Sequence, residues 1–222
     1  MNSYIVKILD SYYITHDVKR FQVEKPEGYD FIPGQATDVS INLPEWKDIL
    51  RPFTFTCLRE MKYLEFTIKI YNERNGVTKM LGRLNKDDEL ILHDVFGAIE
   101  YKGPGVFIAG GAGITPFIAI FRDLYKKNLI NDNVLIYSNK THEDVIMEPE
   151  LQKMLKNNFI RLFTRENVVG FRSLRIDRDY LIDVIGDFGQ NFYVCGPDEF
   201  VTNVNQLLLD LGAKAETIII EK

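Results

Sequence analysis

The first hundred residues of the chain carry short alternations of apolar and polar positions, which turn residues interrupt. Residues 63–71 alternate throughout, and residues 36–43 alternate after the turn Ile32–Pro33–Gly34. A period of two predicts half-buried β-strands, and several such strands at close spacing are typical of an antiparallel barrel or sandwich. One helical stretch, Thr78–Leu84, interrupts the strands directly after Asn75–Gly76.

The pattern changes after Gly103–Pro104–Gly105. From there, continuous apolar runs such as Val106–Ala109 alternate with segments of helical periodicity such as Pro116–Lys127. Strands that alternate with helices predict right-handed βαβ crossovers and a parallel sheet, whose ligands bind at the carboxyl ends of its strands. We therefore predict two domains, a barrel over residues 1–102 and a nucleotide-binding α/β domain over residues 103–222.

Composition and charge exclude several classes of function. The 222 residues are 45% hydrophobic and 27% charged, as in soluble globular proteins, and the net charge of −5 argues against binding to nucleic acid or an anionic membrane. The N-terminus has no signal-peptide pattern, and no apolar run is long enough to span a bilayer, so we expect a cytoplasmic protein. We also expect it to be a monomer. Two cysteines and three histidines are too few for an iron–sulfur cluster or a structural zinc site, so no metal is expected.

The most informative motif is a glycine turn, Gly110–Gly111–Ala112–Gly113–Ile114–Thr115–Pro116, between a predicted strand and a predicted helix. Glycines let the backbone pass close to a pyrophosphate, and the N–H groups at a helix start complement its charge. Pro116 suits a first helical position. A tight βα turn without any ligand has the same pattern, and the motif alone leaves that alternative open.

Three further segments have the chemistry to bind a nucleotide cofactor. Alternation along Arg51–Thr56 places a cation and two aromatic rings on one face and two hydroxyls on the other. Asn75–Thr78 offers N–H groups at a helix start, and Tyr193–Asp198 ends a strand of the predicted parallel sheet with a cysteine. Each segment also has an ordinary structural explanation. The first would be a packed aromatic strand, the second a hairpin turn with Thr78 as helix cap, and the third a strand end with a buried cysteine.

The order of these motifs along the chain resembles the ferredoxin–NADP reductase family over essentially the whole length. The motifs are R-x-(Y/F)-(S/T), G-x-(S/T), G-G-x-G-I-T-P and C-G-P, and Pro33–Gly34–Gln35 is similar to the turn before the family's flavin strand. The resemblance implies a β-barrel plus α/β architecture, in which an antiparallel six-stranded flavin-binding barrel precedes a Rossmann-like parallel-sheet nucleotide domain. Within the family, the chain is most similar to compact bacterial ferredoxin or flavodoxin reductases and to oxygenase reductase components without their ferredoxin domain.

The resemblance also implies a role for each matching residue. Arg51 would bind the flavin phosphate, Phe53 would cover one face of the isoalloxazine, and Thr54 would hydrogen-bond flavin N5. Cys195 would lie beside nicotinamide C4 and Glu221 would match an acid near the family's C-terminus, so Thr54, Cys195 and Glu221 are the expected catalytic residues. The other expected cofactor-binding residues are Pro52, Ile70, Tyr71, Gly76, Val77, Thr78, Gly111, Gly113, Thr115, Gly196 and Pro197.

Two departures from the family pattern concern the faces of the flavin. Phe53 stands where a tyrosine is more usual, which keeps stacking but removes a hydroxyl. The sequence ends at Lys222 without the terminal aromatic residue that often shields the other flavin face. We expect either that another residue covers this face or that it is open to solvent, which would increase reoxidation of the flavin by oxygen.

Three basic residues favour NADP(H) over NAD(H). Lys140 and Arg165 follow predicted strands, and Arg175 is expected at a third such place. The NADPH enzymes that this chain resembles place basic residues there, where they bind the adenosine 2′-phosphate. Any one of the three could equally be a solvated surface charge, and nearby acidic residues dilute the field.

The sequence therefore predicts an NAD(P)H-dependent flavoprotein reductase with FAD favoured over FMN. A hydride would pass from NAD(P)H to flavin, and single electrons would pass on to a ferredoxin- or flavodoxin-like protein. The alternatives are the reductase component of an oxygenase, a free flavin or quinone reductase, and a non-catalytic nucleotide-binding subunit that has lost its flavin. The intact Arg51–Phe53–Thr54 set argues against the non-catalytic subunit.

Overall fold

The first half of the chain folds into a closed antiparallel barrel. A computed structural model describes residues 2–97, 99–130, 132–166 and 175–220. The barrel strands are β1 (Tyr4–Tyr13), β2 (Val18–Glu24), β3 (Ala36–Ile41), β4 (Arg51–Thr54), β5 (Tyr63–Lys69) and β6 (Glu89–Phe96). They lie in the order β4-β3-β6-β1-β2-β5, and a bridge between Phe55 and Phe66 joins the two edges. The barrel that the family resemblance implies is thus confirmed.

The apolar positions of each alternation fill the barrel interior. Phe21 of β2 and Phe66 of β5 are fully buried there beside Phe55, whose ring stacks on Phe31 with 4.2 Å between centroids. Burial of each such side chain stabilises the fold by about 1.5–3 kcal/mol. The short helix α1 (Val77–Leu81) packs its first and last residues into the same core and so covers one end of the barrel.

The second half of the chain is a five-stranded parallel sheet with helices on both faces. Its elements are β7 (Gly105–Gly110), α2 (Thr115–Lys126), β8 (Val134–Asn139), α3 (Glu148–Leu155), β9 (Phe159–Phe163), α4 (Arg178–Val184), β10 (Asn191–Cys195), α5 (Asp198–Asp210) and β11 (Ile218–Ile220). The strands lie in the order β11-β10-β7-β8-β9. Helices α2 and α3 bury one face and helices α4 and α5 bury the other, as a parallel sheet requires. The predicted alternation of strands and helices is confirmed, with element ends shifted by one or two residues.

The two halves pack tightly where the barrel turn Pro33–Gly34–Gln35 meets the connecting segment. Gly34 has φ +96°, and a Cβ on it would lie 1.9 Å from the carbonyl oxygen of Ile99. Ile99 belongs to the apolar core of the α/β half, as does Val18 of the barrel. Only glycine fits at position 34, because both its backbone angle and this contact exclude a side chain.

Within the described ranges, none of the helices has the length and apolar character needed to traverse a bilayer.

Candidate functional site

The glycine turn and the Cys195–Gly196–Pro197 segment meet at the carboxyl edge of the parallel sheet. Strands β7 and β10 are neighbours, and their register pairs Ala109 with Cys195, so both strands end together. A Cβ on Gly113 would lie 2.3 Å from the carbonyl oxygen of Cys195 and 2.5 Å from the amide nitrogen of Gly196. Glycine at position 113 is therefore required by contact between the two motifs, whether or not a pyrophosphate binds.

Gly111 differs from Gly113, because the space beside it is open. Its φ of +53° lies in the left-handed region, and a Cβ there would meet nothing within 4 Å. The hydroxyl of Tyr137, a buried residue of β8, donates a hydrogen bond of 2.9 Å to the Gly111 carbonyl oxygen. Burial raises the pKa of Tyr137, so this hydroxyl stays protonated as a donor. Tyr137 thus fixes the turn, although from sequence it is indistinguishable from an ordinary core residue.

Thr115 uses its hydroxyl within the glycine turn. Its Oγ1 donates to the Ala112 carbonyl oxygen at 3.0 Å, and helix α2 begins at this residue, with Pro116 next. Cys195 is buried, Gly196 is half-buried and Pro197 is exposed. The crevice at this edge therefore offers backbone groups and small side chains, as close approach by a dinucleotide requires.

Strand β4 presents the predicted cation, ring and hydroxyl. Arg51 is exposed, and its guanidinium donates at 2.7 Å to the Leu50 carbonyl oxygen while forming no ion pair within the part of the chain described here. Phe53 is half-buried against the barrel core, and Pro52 is exposed. The Thr54 side chain is buried, and its hydroxyl makes no hydrogen bond to any described residue. These groups fit a flavin, because the Arg51 charge has no ion-pair partner, the Phe53 ring is partly exposed and the Thr54 hydroxyl has no hydrogen bond, each within the described residues.

The start of α1 is less open to a phosphate than its sequence predicts. The N–H of Gly76 donates at 2.9 Å to the Arg74 carbonyl oxygen, which leaves the N–H groups of Val77 and Thr78 without a partner among the described residues. The Val77 side chain is buried in the barrel core, and Thr78 is half-buried. Gly76 occupies the N-cap position without any side-chain cap, so the alternative in which Thr78 caps the helix is wrong.

Ile70 and Tyr71, the expected flavin-edge residues, have different surroundings. The Ile70 side chain is buried in the barrel core, and its N–H donates at 2.7 Å to the Asp17 carbonyl oxygen. Tyr71 is half-buried, and the Arg74 guanidinium carbon lies 5.0 Å from the centroid of its ring. Tyr71 is thus the member of the pair whose side chain a ligand can touch.

Two of the three predicted basic residues come together at the carboxyl edge. The N–H of Arg165, just beyond β9, donates at 2.9 Å to the Lys140 carbonyl oxygen, just beyond β8, and both side chains are exposed. Arg175 is also exposed; the segment before it, residues 167–174, lies outside the described ranges, and after it comes Asp177, whose carboxylate caps α4. Glu221 lies outside the described residues.

A cluster of potential metal ligands lies where the first barrel hairpin meets the parallel sheet. The ligand atoms of His16, Asp17 and Asp144 lie within 4.8 Å of one another. The ammonium of Lys69 is 2.7 Å from Asp17, and Thr141 donates to Asp144 from both its hydroxyl and its backbone N–H. The carboxylates are therefore already compensated by side chains of this protein.

A buried ion-pair network crosses the interface between the two halves. Glu65 of β5 is only 1% exposed, and its carboxylate lies 2.7 Å from Arg122 of α2 and 2.8 Å from Nε of Arg20. Burial alone would raise the pKa of Glu65, but the two guanidinium groups hold it below its usual range. In the sequence, Glu65 occupies a polar position of an alternating strand, and nothing in that pattern indicates that it lies at an interface.

The low pKa of Glu65 predicts a pH-dependent contribution to stability. Glu65→Gln should lower the free energy of unfolding at pH 7 by about 3 kcal/mol, because two partly buried guanidinium groups lose their buried charged partner. Folding favours the charged form of the Glu65 carboxyl, because its pKa is lower in the folded than in the unfolded protein. The stabilisation is therefore fully present above the pKa of Glu65 in the unfolded protein, and it is lost as pH falls through its pKa in the folded protein. Thermal unfolding of both proteins between pH 3 and 7 should show the difference in Tm shrinking toward acid. A difference that stays constant over this range would contradict the assignment.

Comparisons with known proteins agree with this architecture. Residues 107–206 match the family described as Oxidoreductase NAD-binding domain. NADH-cytochrome b5 reductase 1 of Eremothecium gossypii is 26% identical over 90% of this chain and 76% of its own length. The glycine betaine monooxygenase reductase subunit of Pseudomonas aeruginosa is 27% identical over 89% of this chain, which spans 58% of that relative.

A solved structure extends the comparison to the complete fold. A ferredoxin NADP+ reductase from Neisseria gonorrhoeae, determined with bound FAD and NADP, matches 99% of this chain and 98% of its own chain. The TM-score is 0.86 at 21% sequence identity. The arrangement of the barrel and the parallel sheet is therefore shared between the two proteins.

Proposed function

We propose that this chain is a ferredoxin–NADP reductase-like oxidoreductase that reduces an electron-carrier protein with NAD(P)H through bound FAD. FAD would be held by residues 1–102 and NAD(P)H by residues 103–222. Bound FAD supplies the chemistry, since it accepts two electrons from a nicotinamide and releases them one at a time. The observation that carries the proposal is the meeting of the glycine turn with Cys195 at one edge of the sheet, where Gly113 touches the Cys195 backbone.

On the barrel, the chain would hold the flavin with three residues of β4. Arg51 would bind a phosphate and Phe53 would pack against the ring system, while the Thr54 hydroxyl would donate to flavin N5. The absence of an ion pair at Arg51 and of a hydrogen bond at Thr54, each within the described residues, supports these roles. Pro52 would keep β4 extended, and the N–H groups of Val77 and Thr78 would hold the pyrophosphate.

FAD is preferred over FMN in this proposal because the barrel offers two anion-binding places. Arg51 suits one phosphate, and the α1 start after Gly76 suits a second, which a dinucleotide has and a mononucleotide lacks. Chromatography of the flavin released by heating the purified protein distinguishes the two. Release of FMN would overturn this part of the proposal, and a colourless protein that takes up neither flavin would favour the non-catalytic alternative.

At the crevice, Gly111 and Gly113 would admit the dinucleotide and Cys195 would orient the nicotinamide ring. The open space beside Gly111 and the burial of Cys195 at a strand end support this arrangement. Gly196 and Pro197 would shape the same wall, and the Thr115 hydroxyl would keep the turn in place. Glu221 stays a predicted catalytic residue without further support.

Cys195→Ser should slow flavin reduction by NAD(P)H by about tenfold while leaving the bound-flavin spectrum nearly unchanged. The reason is that a hydroxyl is smaller and more strongly hydrated than a thiol, so the nicotinamide is held less well against the flavin. Stopped-flow reduction at saturating dinucleotide measures this rate. Reduction at the wild-type rate would assign Cys195 a purely structural role.

NADPH is proposed as the preferred dinucleotide, with Lys140, Arg165 and Arg175 near its 2′-phosphate. The hydrogen bond that joins Arg165 to Lys140 at adjacent strand ends supports a shared site for the first two. NADH is the alternative, because one relative is an NADH-cytochrome b5 reductase by name.

Arg165→Ala should therefore raise KM for NADPH with little change for NADH. A lost charge-assisted contact costs about 1.5–3 kcal/mol, or tenfold or more in kcat/KM. Steady-state kinetics with both dinucleotides measures the difference. Equal losses with both, or a wild-type protein that prefers NADH, would refute the preference for NADPH.

The proposed electron acceptor is a ferredoxin or flavodoxin, and an oxygenase component is the second candidate. The second candidate is favoured by the similarity to a monooxygenase reductase subunit. The net charge of −5 gives no overall attraction to acidic carriers, so docking would depend on a local basic patch. Rates of acceptor reduction measured across ferredoxins, flavodoxins, free flavins and quinones would rank these classes. The cytoplasmic location and the monomeric state stay predictions from the sequence.

A further inference from the structure

One side chain joins the two halves of the proposed site. Arg122 lies seven residues after Thr115, about two turns along the helix that begins at the glycine turn. Its Nη1 donates at 2.6 Å to the Thr56 carbonyl oxygen and lies 2.7 Å from the Glu65 carboxylate. Thr56 is two residues beyond Thr54. Arg122 therefore connects the helix of the dinucleotide turn to the segment that directly follows the strand of the proposed flavin contact.

The Arg122 guanidinium is fixed on both sides of the interface. Within the α/β half, its Nε and Nη2 donate to the two carboxylate oxygens of Glu150 at 2.7 and 2.8 Å. On the barrel side, Glu65 is held in place by Arg20 as well. A planar group with bidentate contacts on one side and two further contacts on the other can shift only if both domains shift with it.

The interface beside the Arg122 network contains open space. A cavity of about 370 Å³ lies beside the network, lined by Cys57, Met61, Tyr63, Tyr125 and Met154 among others. Side-chain packing is therefore incomplete between the end of α2 and the barrel. The neighbouring ion pair of Lys126 with Glu60 also crosses the interface, but both side chains are about half exposed, and such pairs contribute little.

We propose that Arg122 is a positioning residue that sets the distance between the bound nicotinamide and the bound flavin. It does so by tying α2 to Thr56 and Glu65 of the barrel. The inference rests on the proposed function, because it needs both cofactors to bind where that function places them. Reacting atoms must come within about 3–3.5 Å, and a displacement of 1 Å can cost a hundredfold in rate.

The test compares Arg122→Met, Arg122→Lys and Glu65→Gln with the wild-type protein, with Lys126→Met as a matched control. Lys126 lies on the same helix and pairs across the same interface, but at the surface. Flavin reduction is followed by stopped flow over a range of NADPH or NADH concentrations, at a temperature where every variant is folded. Hydrogen–deuterium exchange of peptides covering residues 55–65 is measured on the same proteins as purified.

Arg122→Met and Glu65→Gln should reduce the limiting rate of flavin reduction by about 10- to 100-fold. The dinucleotide concentration that gives half of the limiting rate should stay within twofold of wild type in both variants. Exchange in residues 55–65 should be faster in both variants. Arg122→Lys should be intermediate, since an ammonium keeps the charge but not the fork, and Lys126→Met should stay within twofold of wild type in every readout.

A wild-type limiting rate in Arg122→Met, unchanged exchange in residues 55–65, or an equal loss in Lys126→Met would each overturn the inference. A change confined to the half-saturating concentration would overturn it as well, because positioning acts on the limiting rate. Failure of the wild-type flavoprotein to be reduced by either dinucleotide would instead refute the proposed function. In that case the exchange measurement still decides whether Arg122 holds the two halves together.

Discussion

Gly113→Ala is expected to lower both the stability of the protein and its affinity for NAD(P)H. The new Cβ would lie 2.3 Å from the Cys195 carbonyl oxygen and 2.4 Å from its carbonyl carbon, and these are backbone atoms that cannot rotate away. One of the two segments must move, at a cost of about 1–3 kcal/mol or more. Because both segments line the crevice, dinucleotide binding should fall by about tenfold or more.

Thermal unfolding and equilibrium titration with NADPH and NADH check this expectation. A cost of this size lowers Tm by several degrees in a chain of this length. Gly186→Ala is the control, because Gly186 has no close neighbour and no positive φ, so its Tm should be nearly unchanged. Gly111→Ala should be intermediate, since it incurs only the strain of a left-handed alanine. A Gly113→Ala protein with wild-type Tm and dinucleotide affinity would contradict the contact between the two motifs.

Arg51→Ala is expected to weaken flavin binding by about 10- to 200-fold. The exposed Arg51 guanidinium forms no ion pair within the described residues, so its charge is available to a flavin phosphate. A charge-assisted hydrogen bond of that kind contributes about 1.5–3 kcal/mol. Fluorescence titration of the flavin-free protein with FAD measures the dissociation constant.

Arg178→Ala is the matched control for Arg51→Ala. Arg178 is an exposed arginine at the start of α4, on a helix that packs against the parallel sheet and not the barrel. Its replacement should leave FAD affinity within twofold of wild type. Equal affinities of the Arg51→Ala and Arg178→Ala proteins for FAD would remove Arg51 from the flavin site.

The elements of the fold follow from local patterns in the sequence. In β5, the alternation of residues 63–71 predicts the strand, and its apolar phase, including Leu64 and Phe66, packs into the barrel core. In the second half, the run Val106–Ala109 and the helix that follows the glycine turn predict β7 and α2. Such predictions succeed because side-chain burial imposes a period of two on strands and about 3.6 on helices.

The interface between the two halves could not be predicted in this way. Glu65 belongs to the polar phase of β5, which local reasoning assigns to solvent, but α2 covers that face and brings Arg122 to it. Similarly, Gly113 fits a phosphate-binding motif in sequence, whereas in the structure its nearest neighbours are backbone atoms of Cys195 and Gly196. Both contacts join residues far apart in the chain, so no local pattern contains them.

The proposed flavin reduction is tested most directly by an anaerobic titration of the FAD-reconstituted protein with NADPH and with NADH, followed by visible absorbance. We expect stoichiometric FAD binding and loss of the flavin absorbance on addition of dinucleotide, with NADPH acting faster than NADH. A protein that binds no FAD, or one whose bound FAD neither dinucleotide reduces, would refute the proposed function.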